Sequence, residues 1–148
     1  MRPHVLTTIG TMAKMRLFTP EEANASLPAV RSLVERMVAD RRALVALGAE
    51  LEELQALIGG NGGSLEPSRA AELQEAVAQA AAALASVVDD IQELGVQVKD
   101  LDRGLVDFPA RHPGTGEAVL LCWELGEPDV AHWHDLEEVF AGRKPLPF

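Results

Sequence analysis

The residues best suited to chemistry lie in the last third of the chain, in short polar stretches between apolar ones. His132 and His134 are separated by one residue, so in an extended segment both imidazoles point to one face and Trp133 points to the other. Carboxylates from Asp107 or Glu124 could complete that face. Imidazole and carboxylate groups bind zinc and iron, so these histidines and carboxylates are candidate metal or ligand residues.

A pair of histidines beside a tryptophan has a second interpretation, in which it packs the fold together. Each ring then donates to a backbone carbonyl or a carboxylate, and no open coordination position lies beside it. The spacing of His132 and His134 is a short motif, and we favour this structural interpretation. We therefore predict no cofactor, and name zinc or iron as the metals that these ligand types would bind.

Asp107 and Glu124 also have two interpretations. They could form a general acid–base pair if their strands are neighbours. Alternatively, one of them forms an ion pair with Arg103 or Arg111, which is the interpretation that we favour. Other polar and aromatic residues of this region are expected to form a structural cluster, which comprises Asp102, Arg103, Trp123 and Trp133.

Cys122 is the single cysteine of the chain, which excludes an intrachain disulfide and a cysteine-based zinc cluster. It lies within an apolar stretch, where burial raises the pKa of a thiol and makes it unreactive. We therefore do not expect Cys122 to act as a nucleophile.

The elements that must position these residues begin with a predicted helix. Thr19 can cap this helix, and Glu22 completes a capping box with it. Pro28 lies too close to that start for an uninterrupted helix, because proline removes a hydrogen bond from a helix interior. We expect a short first turn over Glu21–Ala25 and a restart capped by Ser26.

Heptad spacing predicts two long helices that pack as an antiparallel hairpin over residues 19–94. Asp40 interrupts the apolar seam of the first helix, and we expect it to find a polar partner or water, because a buried unpaired carboxylate is costly. The glycine run Gly59–Gly63 predicts the turn, Pro67 opens the second helix and Gly95 follows its end. The seam residues are Val30, Leu33, Met37, Asp40, Leu44, Leu47, Leu51, Leu54 and Ile58, then Leu73, Val77, Ala80, Leu84, Val87, Ile91 and Leu94.

After Gly95 the period of the apolar residues changes from helical to alternating. Gly104–Pro109 and Glu117–Leu125 are predicted strands of a small β-hairpin, and a short helix is predicted over Leu136–Ala141. The predicted fold class is therefore mainly α, with a long antiparallel helical hairpin, a small β-hairpin and a short C-terminal helix.

A chain of 148 residues is long enough for one domain with its own core. We expect this domain to span residues 15–148, with the β unit and the short helix in residues 95–148. Residues 1–14 are predicted to be an N-terminal extension that is poorly ordered.

The formal net charge is −10, with 13 Lys and Arg against 23 Asp and Glu. Phosphate backbones and anionic membranes attract clustered positive charge, so we predict neither nucleic acid nor membrane as a partner. No apolar run approaches the ~18 residues of a membrane span. Residues 1–14 lack the pattern of a signal peptide, so the predicted location is the cytoplasm.

Five short segments carry a pattern of their own. They are Leu17–Asn24 (LFTPEEAN), Gly104–Pro109 (GLVDFP), Leu121–Glu127 (LCWELGE), Trp133-His134 and Ala141–Arg143 (AGR). In this order, over about residues 16–146, they resemble an uncharacterised prokaryotic family that is known only as a domain of unknown function. The resemblance implies that the β segments and the helical hairpin belong to one pattern. It implies no activity, substrate or cofactor.

A two-helix hairpin buries one seam, so its other apolar positions need a cover. These positions are Val34, Val38 and Val45 in the first helix and Val88 in the second, and either the β unit or a second copy could cover them. We predict a non-enzymatic interaction module that self-associates as a homodimer through the hairpin. The alternative is a metal- or small-molecule-binding enzyme with its site at Asp107, Glu124, His132 and His134.

Overall fold

The computed structural model describes residues 16–60, 67–138 and 140–148. Two long helices come first, α1 over Pro20–Gly60 and α2 over Pro67–Glu93. The strands that follow are β1 (Gln97–Asp100), β2 (Leu105–Arg111), β3 (Ala118–Glu124), β4 (His132–Asp135) and β5 (Lys144–Pro145), with a 3₁₀ turn at Phe140–Gly142 before β5. The predicted extension at residues 1–14 lies outside the described residues. No helix in the described ranges is long and apolar enough to cross a membrane.

α1 begins at the predicted capping box. The Thr19 hydroxyl accepts a hydrogen bond from the Glu22 amide at 3.0 Å, and the Glu22 carboxylate accepts one from the Thr19 amide at 2.9 Å. These bonds pair two amides at the start of the helix that no helical carbonyl can reach. One turn later, the Asn24 side chain binds both the amide and the carbonyl of Val130, at 2.8 and 3.1 Å. The start of α1 is thereby attached to the loop before β4.

The predicted interruption near Pro28 is wrong, because α1 runs through Pro28 without a break. Ser26 caps no second helix, and its hydroxyl donates to the Ala23 carbonyl at 2.9 Å. Proline still removes one helical hydrogen bond. Contacts outside the helix hold its first turns, since Ala23 and Leu27 are buried and Asn24 is bound to the loop before β4. Tertiary packing therefore overrides the local cost of proline.

The glycine run of the hairpin is partly helical, which the prediction of a turn over Gly59–Gly63 did not include. α1 continues through Gly59 and ends at Gly60. Each added residue of a helix brings one hydrogen bond, so a long helix can extend into glycine despite its low propensity. Residues 61–66 lie outside the described residues. α2 starts at Pro67 as predicted, and Gly95 beyond its end has a φ of 88°, a value that favours glycine.

The fold-class prediction is wrong in its β part, because the strands form a five-stranded antiparallel sheet rather than a hairpin. The strands lie side by side in chain order from β1 to β5. The two predicted strands are β2 and β3, which pair along their full length. The sequences of β1 (QVKD) and β4 (HWHD) are short and polar, and β5 has two residues. Such strands lack the apolar alternation by which a strand is recognised in a sequence.

The predicted C-terminal helix over residues 136–141 is not found in the described part of the chain. Leu136 and Glu137 form a turn, and the 3₁₀ turn at Phe140–Gly142 follows. Asp135 and Glu138 still make the hydrogen bond of a helix start, because the Glu138 carboxylate accepts from the Asp135 amide at 3.0 Å. The segment must reverse direction so that β5 pairs with β4, and so short a helix gains little from propagation.

One side of the sheet, the inner face, packs against the helices. Its residues in β2 and β3 are all buried, and they are Val106, Phe108, Ala110, Val119, Leu121 and Trp123. The turn between β1 and β2 comes close to α1 at Gly104, which has a φ of 68°. A Cβ at Gly104 would lie 2.9 Å from side-chain atoms of both Val34 and Leu125. Only glycine permits this contact between the turn and α1.

Beyond the sheet the hairpin continues as a two-helix arm, formed by residues 42–59 of α1 and 68–83 of α2. Arg41 marks the end of the sheet-covered part, since its Nε lies 3.1 Å from the Asp102 carboxylate in the β1–β2 turn. Within the arm Leu73 is the one buried side chain, and the other seam residues are half-buried. The arm therefore stabilises the fold less per residue than the sheet-covered part does.

Asp40 lies just before the arm. Its Oδ2 atom is buried and has no hydrogen-bond partner in the described structure. No protein group in the described residues binds this oxygen, so the prediction that Asp40 finds a polar partner or water stays a prediction in its second form, with water. A buried acceptor that lacked any partner would cost about 1–3 kcal/mol, which is why a polar seam residue of this kind needs one.

Candidate functional site

The outer face of the sheet, which points away from the helices, collects polar residues from β2, β3 and β4. Asp107 lies opposite Cys122 where β2 pairs with β3. In the pairing of β3 with β4, His132 lies opposite Cys122 and His134 lies opposite Leu120. Strand alternation thus places a carboxylate, a thiol and two imidazoles on the same face.

Asp107 and His134 form a buried pair on this face, with exposed fractions of 2% and 4%. His134 Nε2 lies 3.3 Å from both carboxylate oxygens of Asp107. His134 Nδ1 lies 2.8 Å from the Asp135 carbonyl oxygen, which can only accept, so Nδ1 carries a proton. The other ring nitrogen, Nε2, faces the two carboxylate oxygens of Asp107. The pair therefore places a ring nitrogen and two carboxylate oxygens around one position that a cation could take.

The Cys122 thiol adds a third group to this pair. One ligand atom from each of Asp107, Cys122 and His134 lies within 4.8 Å of the other two, and all three residues are buried. No other group of three or more His, Cys, Asp or Glu side chains in the described ranges is arranged to hold a metal ion. We refer to these three residues as the outer-face triad.

Burial controls protonation in the outer-face triad. It raises the pKa of Asp107, while the neighbouring charges of His134 and Lys99 act in the opposite direction. It also raises the pKa of the Cys122 thiol to about 12, and the Asp107 charge adds to that rise. At neutral pH the thiol is therefore protonated and unreactive, as its apolar strand predicts.

A cavity of about 410 Å³ opens on the outer face beside the triad. Asp107 and His134 line it, together with the apolar side chains of Leu105 and Leu120. Lys99 lies at its edge, with Nζ 4.0 Å from Asp107 Oδ2. A cavity of this volume suits a small molecule, and two titratable groups of the triad face it.

The other two predicted site residues, Glu124 and His132, have partners outside the triad. The Glu124 carboxylate lies 2.9 Å from Arg103 Nε, which is the ion pair that the sequence favours. Arg143 donates a hydrogen bond to His132 Nδ1 at 2.6 Å and also binds the Glu127 carboxylate. Nδ1 of His132 is therefore an acceptor, and its ring proton lies on Nε2. The structure thus brings together two of the four predicted site residues and separates the other two from them.

The predicted structural cluster is spread over several contacts. Asp102 and Arg103 form the ion pairs described above. Trp123 is fully buried on the inner face, and its Nε1 donates to the Glu127 carbonyl at 3.1 Å. Trp133 packs against the terminal phenylalanine with 5.3 Å between the ring centroids. These residues hold turns and strand ends in place and do not line the cavity.

A sequence profile described as Uncharacterized conserved protein (DUF2203) matches residues 16–146, which is almost the whole chain. The chain belongs to the DUF2203 family. No curated protein and no solved structure has significant similarity to it. The DUF2203 assignment confirms the resemblance to an uncharacterised family and assigns no reaction. In this DUF2203 chain the triad takes one residue from each of three segments of the resemblance, GLVDFP, LCWELGE and the Trp-His pair.

The sequence predicted Asp107 and His134 as site residues, but we did not predict that Cys122 lies beside them. The alternation of β3 places Cys122 on the face opposite Trp123, and that signal is visible in the sequence. The register of β2 against β3 is what brings Asp107 opposite Cys122. This register depends on the loop at residues 112–117. The loop contains many turn-forming residues, so its sequence does not predict one register.

Proposed function

We propose that this DUF2203 protein binds one zinc ion at the outer-face triad, beside a cavity that takes a small molecule. The observation that carries the proposal is the distance of 3.3 Å from His134 Nε2 to both oxygens of Asp107. A charge-assisted hydrogen bond between these groups would be about 2.7–2.9 Å long. With bonds of about 2.0–2.3 Å, two ligand atoms on one tetrahedral zinc ion are about 3.3–3.8 Å apart. The pair has the spacing of two zinc ligands.

Cys122 supplies a third ligand of a type that zinc prefers. Zinc in proteins is held by cysteine sulfur, histidine nitrogen and carboxylate oxygen, and the triad contains one of each. The thiolate is the form that binds a metal, so the thiol proton must leave when zinc enters. This donor set distinguishes the proposal from the ligand set predicted from the sequence, with Cys122 in place of Glu124 and His132.

His134 already makes the additional hydrogen bond that is usual for metal-binding histidines. Its Nδ1 donates to the Asp135 carbonyl, which leaves Nε2 facing Asp107. The ring is therefore held in the orientation that zinc ligation needs. Zinc binding would require little movement of His134.

Three protein ligands leave one position of a tetrahedral zinc ion for water or a small molecule. Bound zinc supplies Lewis-acid chemistry to a group in such a position. Asp107 and His134 line the cavity, so a molecule held there would lie beside the triad. The ammonium group of Lys99, near Asp107, could orient an anionic part of that molecule. These features support the metal- or small-molecule-binding alternative of the sequence analysis.

The proposal is tested by metal analysis and calorimetric zinc titration of the full chain after treatment with a chelator. We expect one zinc ion per wild-type chain, and at least about tenfold weaker binding in Cys122→Ser and Asp107→Asn, because each loses a ligand. Both substitutions are close to isosteric, and circular dichroism checks that the variants fold. In the cobalt-substituted protein, the near-ultraviolet absorption of a cobalt–thiolate bond should be lost in Cys122→Ser.

His132→Gln and Glu124→Gln are matched controls, since both residues lie on the outer face but outside the triad. Both variants should bind zinc as tightly as the wild type does. The proposal is wrong if the wild-type protein binds no zinc. It is also wrong if the two triad variants bind zinc as tightly as the controls do.

A second candidate function is self-association through the helical hairpin. The exposed apolar surface of the arm favours it, since Val45 and Leu57 are each 51% exposed. The seam leucines of the arm are only half-buried, and a second copy would cover more of this surface. The arm is separate from the outer-face triad, so the two candidate functions do not exclude each other.

A further inference from the structure

The cavity beside the outer-face triad has walls of opposite charge. It has a volume of about 410 Å³ and lies over β2 and β3, which contribute Leu105, Asp107 and Leu120 to its lining. In the sheet β1 lies on one side of these two strands and β4 lies on the other. Lys99 of β1 lines the cavity from the first side, and Glu137, in the turn after β4, lines it from the second. A small molecule in the cavity therefore lies between a cation and an anion.

Two further carboxylates line the cavity, but contacts within the fold already use them. The Asp100 carboxylate accepts hydrogen bonds from two amides of the β1–β2 turn, each at 2.9 Å. The Glu138 carboxylate forms an ion pair with the ammonium group of Lys144. Glu137 is exposed and makes no ion pair with another residue in the described ranges. Among these carboxylates, Glu137 is the one whose charge is available to a ligand.

Zinc binding at the triad would make the charge of Lys99 available as well. In the metal-free protein Lys99 Nζ lies 4.0 Å from Asp107 Oδ2. A zinc ion takes this carboxylate as a ligand, and Asp107 together with the Cys122 thiolate balances the double charge of zinc. The ammonium group of Lys99 then lies beside a neutral metal centre and needs a new counter-charge. An anionic group of the molecule in the cavity supplies it.

We propose that the cavity takes a small zwitterionic amino acid with an apolar side chain. Its carboxylate lies between Lys99 and the open position on zinc, and its ammonium group pairs with Glu137. Its side chain packs on Leu105, Leu120 and Leu136, the last of which lines the cavity although it is 59% exposed. The inference rests on the proposed function, which leaves the molecule in the cavity unnamed, and adds its chemical class.

The size and charge of the cavity favour this class over simpler molecules. A volume of about 410 Å³ is near the lower end of the range of about 300–1,000 Å³ for ligand pockets, so the molecule is small. A carboxylic acid without an ammonium group makes no contact with Glu137. An amine without a carboxylate is repelled by Lys99 and gives zinc no anionic ligand. A zwitterion satisfies both walls and leaves the net charge of the site unchanged.

The test is a calorimetric titration of the full chain, with and without one equivalent of zinc, in which leucine is the probe. Three compounds each lack one group of leucine. Glycine lacks the apolar side chain, 3-methylbutylamine lacks the carboxylate and 4-methylpentanoate lacks the ammonium group. We expect the zinc-loaded protein to bind leucine. Binding should be about tenfold or more weaker for glycine and 3-methylbutylamine, and about threefold or more weaker for 4-methylpentanoate, whose lost contact is with an exposed carboxylate.

Charge variants assign each wall of the cavity. Lys99→Gln should weaken the binding of leucine and of 4-methylpentanoate about threefold or more, and should not weaken that of 3-methylbutylamine. Glu137→Gln should weaken leucine and 3-methylbutylamine by a similar factor and leave 4-methylpentanoate unchanged. Arg42→Gln is the matched control, because it removes a charge from an exposed position in the arm, away from the cavity. It should bind leucine as the wild type does.

The outcomes separate this inference from the zinc site. Zinc uptake without leucine binding up to about 10 mM overturns the ligand class and leaves the zinc site in place. Leucine binding by a chain that takes up no zinc overturns the zinc site and supports the two charged walls. A chain that binds neither overturns both. The ligand class is also wrong if 4-methylpentanoate or 3-methylbutylamine binds as tightly as leucine, or if Lys99→Gln and Glu137→Gln bind leucine no more weakly than Arg42→Gln does.

Discussion

The two faces of the sheet come from the same strands but bury different kinds of side chain. On the inner face, alternate residues of β2 and β3 are apolar and buried against the helices, among them Phe108 and Trp123. On the outer face, the residues between them include the buried Asp107 and Cys122. Burial of apolar side chains stabilises a fold, whereas burial of a carboxylate costs free energy unless it has partners. The comparison shows that one sheet can bury apolar side chains on one face and titratable side chains on the other.

The two faces also differ in what their buried residues contribute to stability. Burial raises the pKa of both Asp107 and Cys122, and a fold gains no stability from such a shift. An apolar pair at the same positions would serve the fold equally well. We therefore expect substitutions on the inner face to change stability and substitutions on the outer face to change binding.

Trp123→Ala should have the largest effect on stability, because Trp123 is fully buried at the centre of the inner face. The free energy of unfolding should fall by about 3–5 kcal/mol, as for other large-to-small changes in a core. Urea titration followed by circular dichroism measures it. A loss below about 1 kcal/mol would mean that the inner face does not carry the stability of the domain.

Leu84→Ala should have the next largest effect and tests how far the stable core extends along the hairpin. Leu84 is 7% exposed and belongs to the core, so its truncation should cost about 2–5 kcal/mol. Leu51 in the arm is half-buried, and Leu51→Ala should cost less than about 2 kcal/mol. The same urea titration compares them. Equal losses would show that the arm is packed as firmly as the sheet-covered part.

Asp107→Leu tests whether the buried pair on the outer face stabilises the fold. It leaves His134 buried without its carboxylate partner, which should cost about 1–3 kcal/mol in the metal-free protein. The double variant Asp107→Leu/His134→Leu removes both partners and should be close to the wild type in stability. Neither variant should bind zinc. If the double variant is less stable than Asp107→Leu, the buried pair serves the fold rather than a ligand.

Glu138→Gln should have the smallest effect and is visible as a pH dependence. The hydrogen bond from Lys144 lowers the pKa of Glu138 from its ordinary value of 4.5, so this carboxylate stabilises the fold above the ordinary value and loses that effect as the pH falls. The wild type should therefore melt at a higher temperature than Glu138→Gln at about pH 7, and the difference should shrink as the pH falls below the ordinary value of 4.5. A difference that is independent of pH would rule out an electrostatic origin.

Local patterns in the sequence determined several elements without help from the rest of the fold. The capping box of Thr19 and Glu22, the start of α2 at Pro67 and the long runs of β2 and β3 all depend on residues close together in the chain. Local hydrogen bonds and the periodicity of apolar residues are sufficient for such elements. The raised pKa of the Cys122 thiol follows in the same way from its apolar neighbours.

The tertiary structure decided everything that depends on pairing between distant segments. Pro28 remains inside α1 because packing holds both sides of it, and β1, β4 and β5 become strands because a neighbouring strand offers them hydrogen bonds. The outer-face triad depends on two strand registers, which bring Asp107 to Cys122 and to His134, 27 residues away along the chain. A shift of either register by one residue would turn part of the triad to the inner face. The sequence alone therefore determined which residues could act, and the sheet determined which of them meet, because register is set by contacts across the whole domain.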